Sequence, residues 1–133
     1  DAVSNVLTSI RELTSGKVIA VLGCGGDRDS SKRPLMGKAL SAGADIAIFT
    51  SDNQRSEDPE VILQAMTNGL KIADPSKVIS DRAAAIAYAV SIANLGDSVA
   101  VLGKGHELGQ AIRDKTLDFD DRLVLAQAIE AKR

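Results

Sequence analysis

The chain reads as an α/β domain, a mostly parallel sheet with helices on both faces. Three observations carry that reading. Short apolar runs alternate along the chain with segments whose apolar residues recur at three and four. The runs are built from Ala, Val, Ile and Leu, with aromatics at only 2%, which suits parallel strands covered by helices. Three of the runs end in polar stretches, as expected where a strand gives way to a helix.

The elements follow in order. Val3, Val6, Leu7, Ile10 and Leu13 recur at three and four, so residues 2–14 form an amphipathic helix that Gly16 stops. Residues 17–22 are a strand, and residues 23–31 a glycine-rich loop. Pro34 suits the first turn of the next helix, which runs through Leu35, Met36, Ala39 and Leu40 to Gly43. A strand at 45–49, a polar loop at 50–58 and a helix at 59–68 come next. A short strand, 77–80, leads into a helix at 81–94 for which Asp81 is the N-cap. Residues 98–102 are a strand, ended by Gly103-Lys104-Gly105-His106-Glu107. Residues 110–119 suggest a short hairpin, and Asp120-Asp121 opens a final helix, 121–132. The arrangement is Rossmann-like, and one antiparallel strand is expected at an edge.

The 133 residues make one domain with a single core the expectation. The chain starts at Asp1, already in a helical pattern, so it is expected to be a piece of a longer protein. A net charge of −2 argues against a nucleic-acid module, which needs a basic patch. No apolar run approaches the roughly 18 residues of a membrane span, and none reads as a signal peptide. The single Cys24 cannot form an internal disulfide. A cytoplasmic monomer is the expectation.

Three polar loops, 23–31, 50–58 and 103–107, each follow a strand. In a parallel sheet those strand ends share one edge, where ligands bind in α/β folds. The loops should therefore converge, bringing together Asp27, Arg28, Asp29, Asp52, Asn53, Arg55, Glu57, Lys104, His106 and Glu107. Acids, an amide and arginine together are what recognition of a zwitterion needs.

Each feature also has a plainer reading. Gly23-Cys24-Gly25-Gly26 would let a backbone approach a phosphate, yet it is equally a tight turn. It is not a dinucleotide fingerprint, because Arg28 replaces the third glycine, nor a Walker A loop. Lys32-Arg33 is read as a solvated helix start rather than an anion site, and Cys24 as a packing residue rather than a nucleophile. His106 is the only histidine, so no metal site is assigned to it. Asp120-Asp121 is a helix start, and Met36 and Met66 are core residues. Arg55 could simply pair with Glu57 or Asp58, an exposed contact of about 0–1 kcal/mol.

Four motifs in order resemble the C-terminal domain of the Mur ligases. They are Gly23-Cys24-Gly25-Gly26-Asp27-Arg28-Asp29 with Lys32-Arg33-Pro34-Leu35-Met36, then Thr50–Pro59, then Gly103-Lys104-Gly105-His106-Glu107, then Phe119-Asp120-Asp121-Arg122. The second resembles the family's D-N-P-R signature. The resemblance covers essentially the whole chain, and it is strongest to members that add meso-2,6-diaminopimelate. It implies a cytoplasmic bacterial enzyme of peptidoglycan synthesis, with ATP, Mg2+ and a UDP-muramoyl dipeptide as partners. ATP activates the peptide carboxylate as an acyl phosphate, which the incoming amino group attacks. It further implies an N-terminal UDP-binding and a central ATPase domain that this chain does not contain, so that the isolated chain is expected to be inactive.

The family's contacts carry over position by position. Arg55 matches the signature arginine, which clamps the far carboxylate of diaminopimelate, a task suited to a planar bidentate guanidinium. Asp52 and Asn53 match residues that orient the same end. Glu107 matches an acid that accepts the substrate ammonium, and Gly103 a glycine whose backbone faces it. Arg28 matches an arginine near a substrate carboxylate, and Asp27 a contact to the ATP ribose. The resemblance assigns no catalytic residue and no metal ligand to this domain. Gln54 departs from the pattern, because proline would fix φ and stiffen the loop. Two other functions remain open. One is a related amide ligase, adding glutamates to folate or recycling muropeptides. The other is a free-standing nucleotide- or anion-binding Rossmann-like module.

Overall fold

The computed structural model describes residues 2–24, 32–51, 58–102, 110–112 and 115–117. The elements are α1 (Ala2–Glu12), β1 (Val18–Cys24), α2 (Arg33–Gly43), β2 (Ile46–Ser51) and α3 (Pro59–Thr67). They continue with β3 (Lys77–Val78), α4 (Arg82–Ile92), β4 (Ser98–Leu102), β5 (Gln110–Ile112) and β6 (Lys115–Leu117). Strands β1 to β4 form one parallel sheet in the order β3-β2-β1-β4. Antiparallel pairing, expected at an edge of that sheet, occurs among the described residues only between β5 and β6. That pair fits the short hairpin read in the sequence. The final helix expected at 121–132 lies outside the described residues.

Strand alternation sorts the core into two layers. Val18, Ala20 and Leu22 of β1 and Ala47 and Phe49 of β2 point to one face. There they meet Val3 and Leu7 of α1, Leu40 of α2, and Ile62, Leu63 and Met66 of α3. Ile19, Val21, Ile46 and Ile48 point to the other, where Ala85, Ile86 and Ala89 of α4 cover them. Strands buried on both faces must be apolar at every position, which is why the runs in β1 and β2 do not alternate in polarity. Each large side chain so buried contributes about 1.5–3 kcal/mol.

The connections explain the layers. Chain segments β1–α2–β2 and β2–α3–β3 step toward one edge, whereas β3–α4–β4 returns past β2 and β1 to the other. Right-handed crossovers in opposite directions place their helices on opposite faces.

Several boundaries differ from the sequence reading. The first helix ends at Glu12, and Leu13, expected on its apolar face, is 88% exposed in the turn that follows. Val6 is also exposed. Strands β1 and β2 run two residues past their apolar runs, because Gly23 pairs with Thr50 and Cys24 with Ser51. Backbone pairing needs no apolar side chain, so the loops begin later than polarity suggests. Strand β3 is only two residues long and pairs with β2 on one side alone.

Candidate functional site

The carboxyl ends of β2, β1 and β4 lie side by side. Cys24 is in register with Ser51, and Leu22 with Leu102. The segments 25–31, 52–57 and 103–109 leave from these three adjacent ends. The β1 and β4 ends flank the point where the connections reverse direction, the position at which open α/β sheets form a ligand crevice.

Three helices start at this same edge. Pro34 occupies the first turn of α2 and Pro59 that of α3, positions where a missing N–H costs nothing. Asp58 caps α3, its carboxylate accepting from the Glu60 N–H at 2.9 Å. Asp81 caps α4, as expected, accepting from the Ala83 N–H at 3.1 Å. Helix N-termini carry partial positive charge, which in α3 and α4 the Asp58 and Asp81 carboxylates already meet.

Buried polar side chains brace the strand ends. Thr50 is fully buried, and its Oγ1 donates to the Ser80 carbonyl at 3.3 Å. Arg82 is 1% exposed, and its Nη2 donates to the Leu102 carbonyl at 3.1 Å. Arg33, read in the sequence as part of a solvated helix start, is instead 4% exposed, while its neighbour Lys32 is exposed. One step along a helix turns a side chain by about 100°, so two adjacent cations need not share an environment. Met66 is buried as expected, and Met36 is half-buried against the same core.

Sequence reasoning missed Arg82, although a signal was present. Arg82, Ala85, Ile86, Ala89 and Val90 follow the i, i+3, i+4, i+7, i+8 spacing of a buried stripe. An arginine at the head of such a stripe departs from the pattern, because charged side chains are rarely buried without a partner.

The opposite edge is held by carboxylates. Asp45 accepts from the Val18 N–H at 2.8 Å and from Arg11 at 3.2 Å. The Val18 hydrogen bond, and then Arg11, hold its pKa below the ordinary 3.8, against the opposing effect of desolvation. Asp97 accepts from the Lys17 and Asn94 N–H groups, which lower its pKa in the same way.

The expected ligand-contacting residues Asp27, Arg28, Asp52, Asn53, Arg55, Gly103 and Glu107 lie outside the described residues, as does His106. Among the described residues no group of three or more His, Cys, Asp or Glu side chains could hold a metal ion. No helix among them is long and apolar enough to cross a membrane.

A four-stranded parallel sheet covered by helices on both faces, whose connections reverse between β1 and β4, is a doubly wound α/β domain. The sequence family described as Mur ligase, glutamate ligase domain, matches residues 1–105, and the chain belongs to that family. A UDP-N-acetylmuramoyl-L-alanyl-D-glutamate--2,6-diaminopimelate ligase of Geobacillus thermodenitrificans is 49% identical over 100% of this chain and 27% of its own length. One of the same description from Streptomyces coelicolor is 53% identical over 98% of the chain and 27% of its own length. A solved structure titled as this ligase superposes with a TM-score of 0.93 at 43% identity, covering 99% of the chain and 27% of that structure. The chain thus spans about a quarter of the length of the relatives it matches.

Proposed function

We propose that this chain is the C-terminal, amino-acid-binding lobe of an ATP-dependent ligase that adds meso-2,6-diaminopimelate to UDP-MurNAc-L-Ala-D-Glu in bacterial peptidoglycan synthesis. The observation that carries the proposal is the match of 98–100% of this chain to ligases of that description, at 49% and 53% identity. The strand ends support it independently, since the three segments bearing the family motifs leave adjacent strands of one sheet edge.

In this reading Arg55 pairs bidentately with the far carboxylate of diaminopimelate, and Asp52 and Asn53 orient that end. Glu107 accepts the substrate ammonium beside the Gly103 backbone, and Arg28 meets a carboxylate. Asp27 reaches the nucleotide ribose. Mg2+ and most of the ATP site belong to a central domain, and the UDP group to an N-terminal one, both outside this chain. The working enzyme is cytoplasmic and monomeric.

The test is Arg55→Ala in the full-length ligase. Loss of a charge-assisted bidentate pair removes about 1.5–3 kcal/mol of binding, so the KM for diaminopimelate should rise roughly 10- to 150-fold. An amino-acid panel on the wild-type enzyme accompanies it. A KM unchanged in the variant removes Arg55 from the site, and preference for glutamate or lysine in the panel removes diaminopimelate as substrate.

A further inference from the structure

The carboxyl edge is cross-braced from a single turn. Ser80, Asp81 and Arg82 lie where β3 gives way to α4. The Ser80 carbonyl receives the Thr50 hydroxyl from the end of β2. Two residues on, Arg82 donates to the carbonyl of Leu102, the last residue of β4. Strand β3 stands at one edge of the sheet and β4 at the other, with β2 and β1 between. Arg82 therefore ties the head of α4 to the far strand, at the point where Gly103-Lys104-Gly105-His106-Glu107 begins.

An arginine here carries a desolvation cost that an apolar side chain would not. Its guanidinium stays charged in proteins, and taking a charge out of water is expensive even when it is paired. The position heads the apolar stripe of Ala85, Ile86, Ala89 and Val90, where Leu or Met would pack at no such cost. An apolar side chain, however, could not hold a strand-end carbonyl in a fixed direction.

We propose that Arg82 is a positioning residue for amino-acid capture, fixing the end of β4 and so the origin of the Gly103–Glu107 segment. The inference rests on the function proposed above. It acts through the backbone of Leu102 and requires no contact between Arg82 and substrate.

The test compares Arg82→Met and Arg82→Lys in the full-length ligase, with the KM of each substrate measured separately. The methionine side chain keeps bulk and loses every donor. The lysine ammonium keeps charge but loses the planar fork. The KM for the amino acid should rise about tenfold in Arg82→Met and about threefold in Arg82→Lys, while kcat and the KM values for ATP and the UDP-linked dipeptide stay within about twofold. A residue that serves only the fold would instead lower the yield of active enzyme and leave the amino-acid KM alone. That result overturns the proposal, as does a parallel rise in all three KM values. Should Arg82→Met not fold, Arg82→Lys decides, and an amino-acid KM within about twofold of wild type overturns the proposal. The KM is taken for whichever amino acid the wild-type enzyme accepts. An error in the diaminopimelate assignment then appears in the wild type, and an error about Arg82 only in the variants.

Discussion

Gly37 provides a sharp test of how the loop-bearing helices are held. It lies in α2 where that helix crosses α3, and it is buried. A Cβ added there would overlap the Met66 carbonyl oxygen and stand 2.8 Å from the Met66 carbonyl carbon and 3.3 Å from its Cα. All three atoms are backbone, so no side chain can swing aside and the helices must separate. Two effects oppose each other in Gly37→Ala. Alanine is favoured over glycine in a helix interior by about 0.8–1 kcal/mol. Overpacking costs about 1–3 kcal/mol, and the upper part of that range applies because the obstacle is rigid. The separation would also disturb Leu40, Ile62, Leu63 and Met66, each at most 2% exposed. The net expectation is destabilisation by about 1–2 kcal/mol, read as a lower urea midpoint at unchanged slope. Gly43→Ala is the internal control. Its Cβ would meet the end of the Leu7 side chain at 2.8 Å and the Leu7 Cβ at 3.1 Å, a milder overlap with no backbone atom among the nearest contacts, so its cost should be smaller. A Gly37→Ala protein as stable as wild type, or less affected than Gly43→Ala, would refute the reasoning.

Two further predictions concern the helix starts and the carboxylates. Asp58→Ala removes the cap of α3 and should cost about 1 kcal/mol in urea unfolding, without altering the secondary-structure content seen by circular dichroism. Asp45 has a folded-state pKa below 3.8, so its stabilising contribution is fully present above about that pH and is lost as pH falls through the lower folded value. Asp45→Asn should therefore lower the urea midpoint at pH 7, and the gap from wild type should narrow when the comparison is repeated below pH 3.8.

Much of the fold was legible because periodicity reports burial directly. The stripe Val3, Leu7, Ile10 marked α1, and the unbroken run from Val18 to Leu22 marked a strand covered on both faces. What escaped was set by backbone pairing or by tertiary contacts. Gly23-Cys24 and Thr50-Ser51 look like loop, yet pair across β1 and β2. Thr50 is polar and wholly buried because the Ser80 carbonyl satisfies it. Leu13 matched the apolar spacing, but the helix had already ended. Arg33 and Arg82 carry charge, which a sequence reading sends to solvent, yet both are buried, Arg82 with its Nη2 on the Leu102 carbonyl. For the site, the meeting of three loop-bearing strand ends followed from parallel topology alone. The contacts expected of Asp27, Arg28, Asp52, Asn53, Arg55, Gly103 and Glu107 rest on motif resemblance, since spacing cannot assign a partner to a side chain.

The two edges of the sheet divide the work of the domain. At the amino edge, Asp45 and Asp97 each turn a carboxylate onto the backbone N–H groups that begin β1, and Gly16 and Ser98 add backbone bonds to Gly96 and Lys17. Those bonds fix where the strands start and leave the acids with partners already made. At the carboxyl edge the bonds come instead from Thr50 and Arg82 to carbonyl groups, and they fix where the strands stop. Strand β4 is thus held at both ends, by the Ser98 bond to Lys17 at its start and by Arg82 at its last residue.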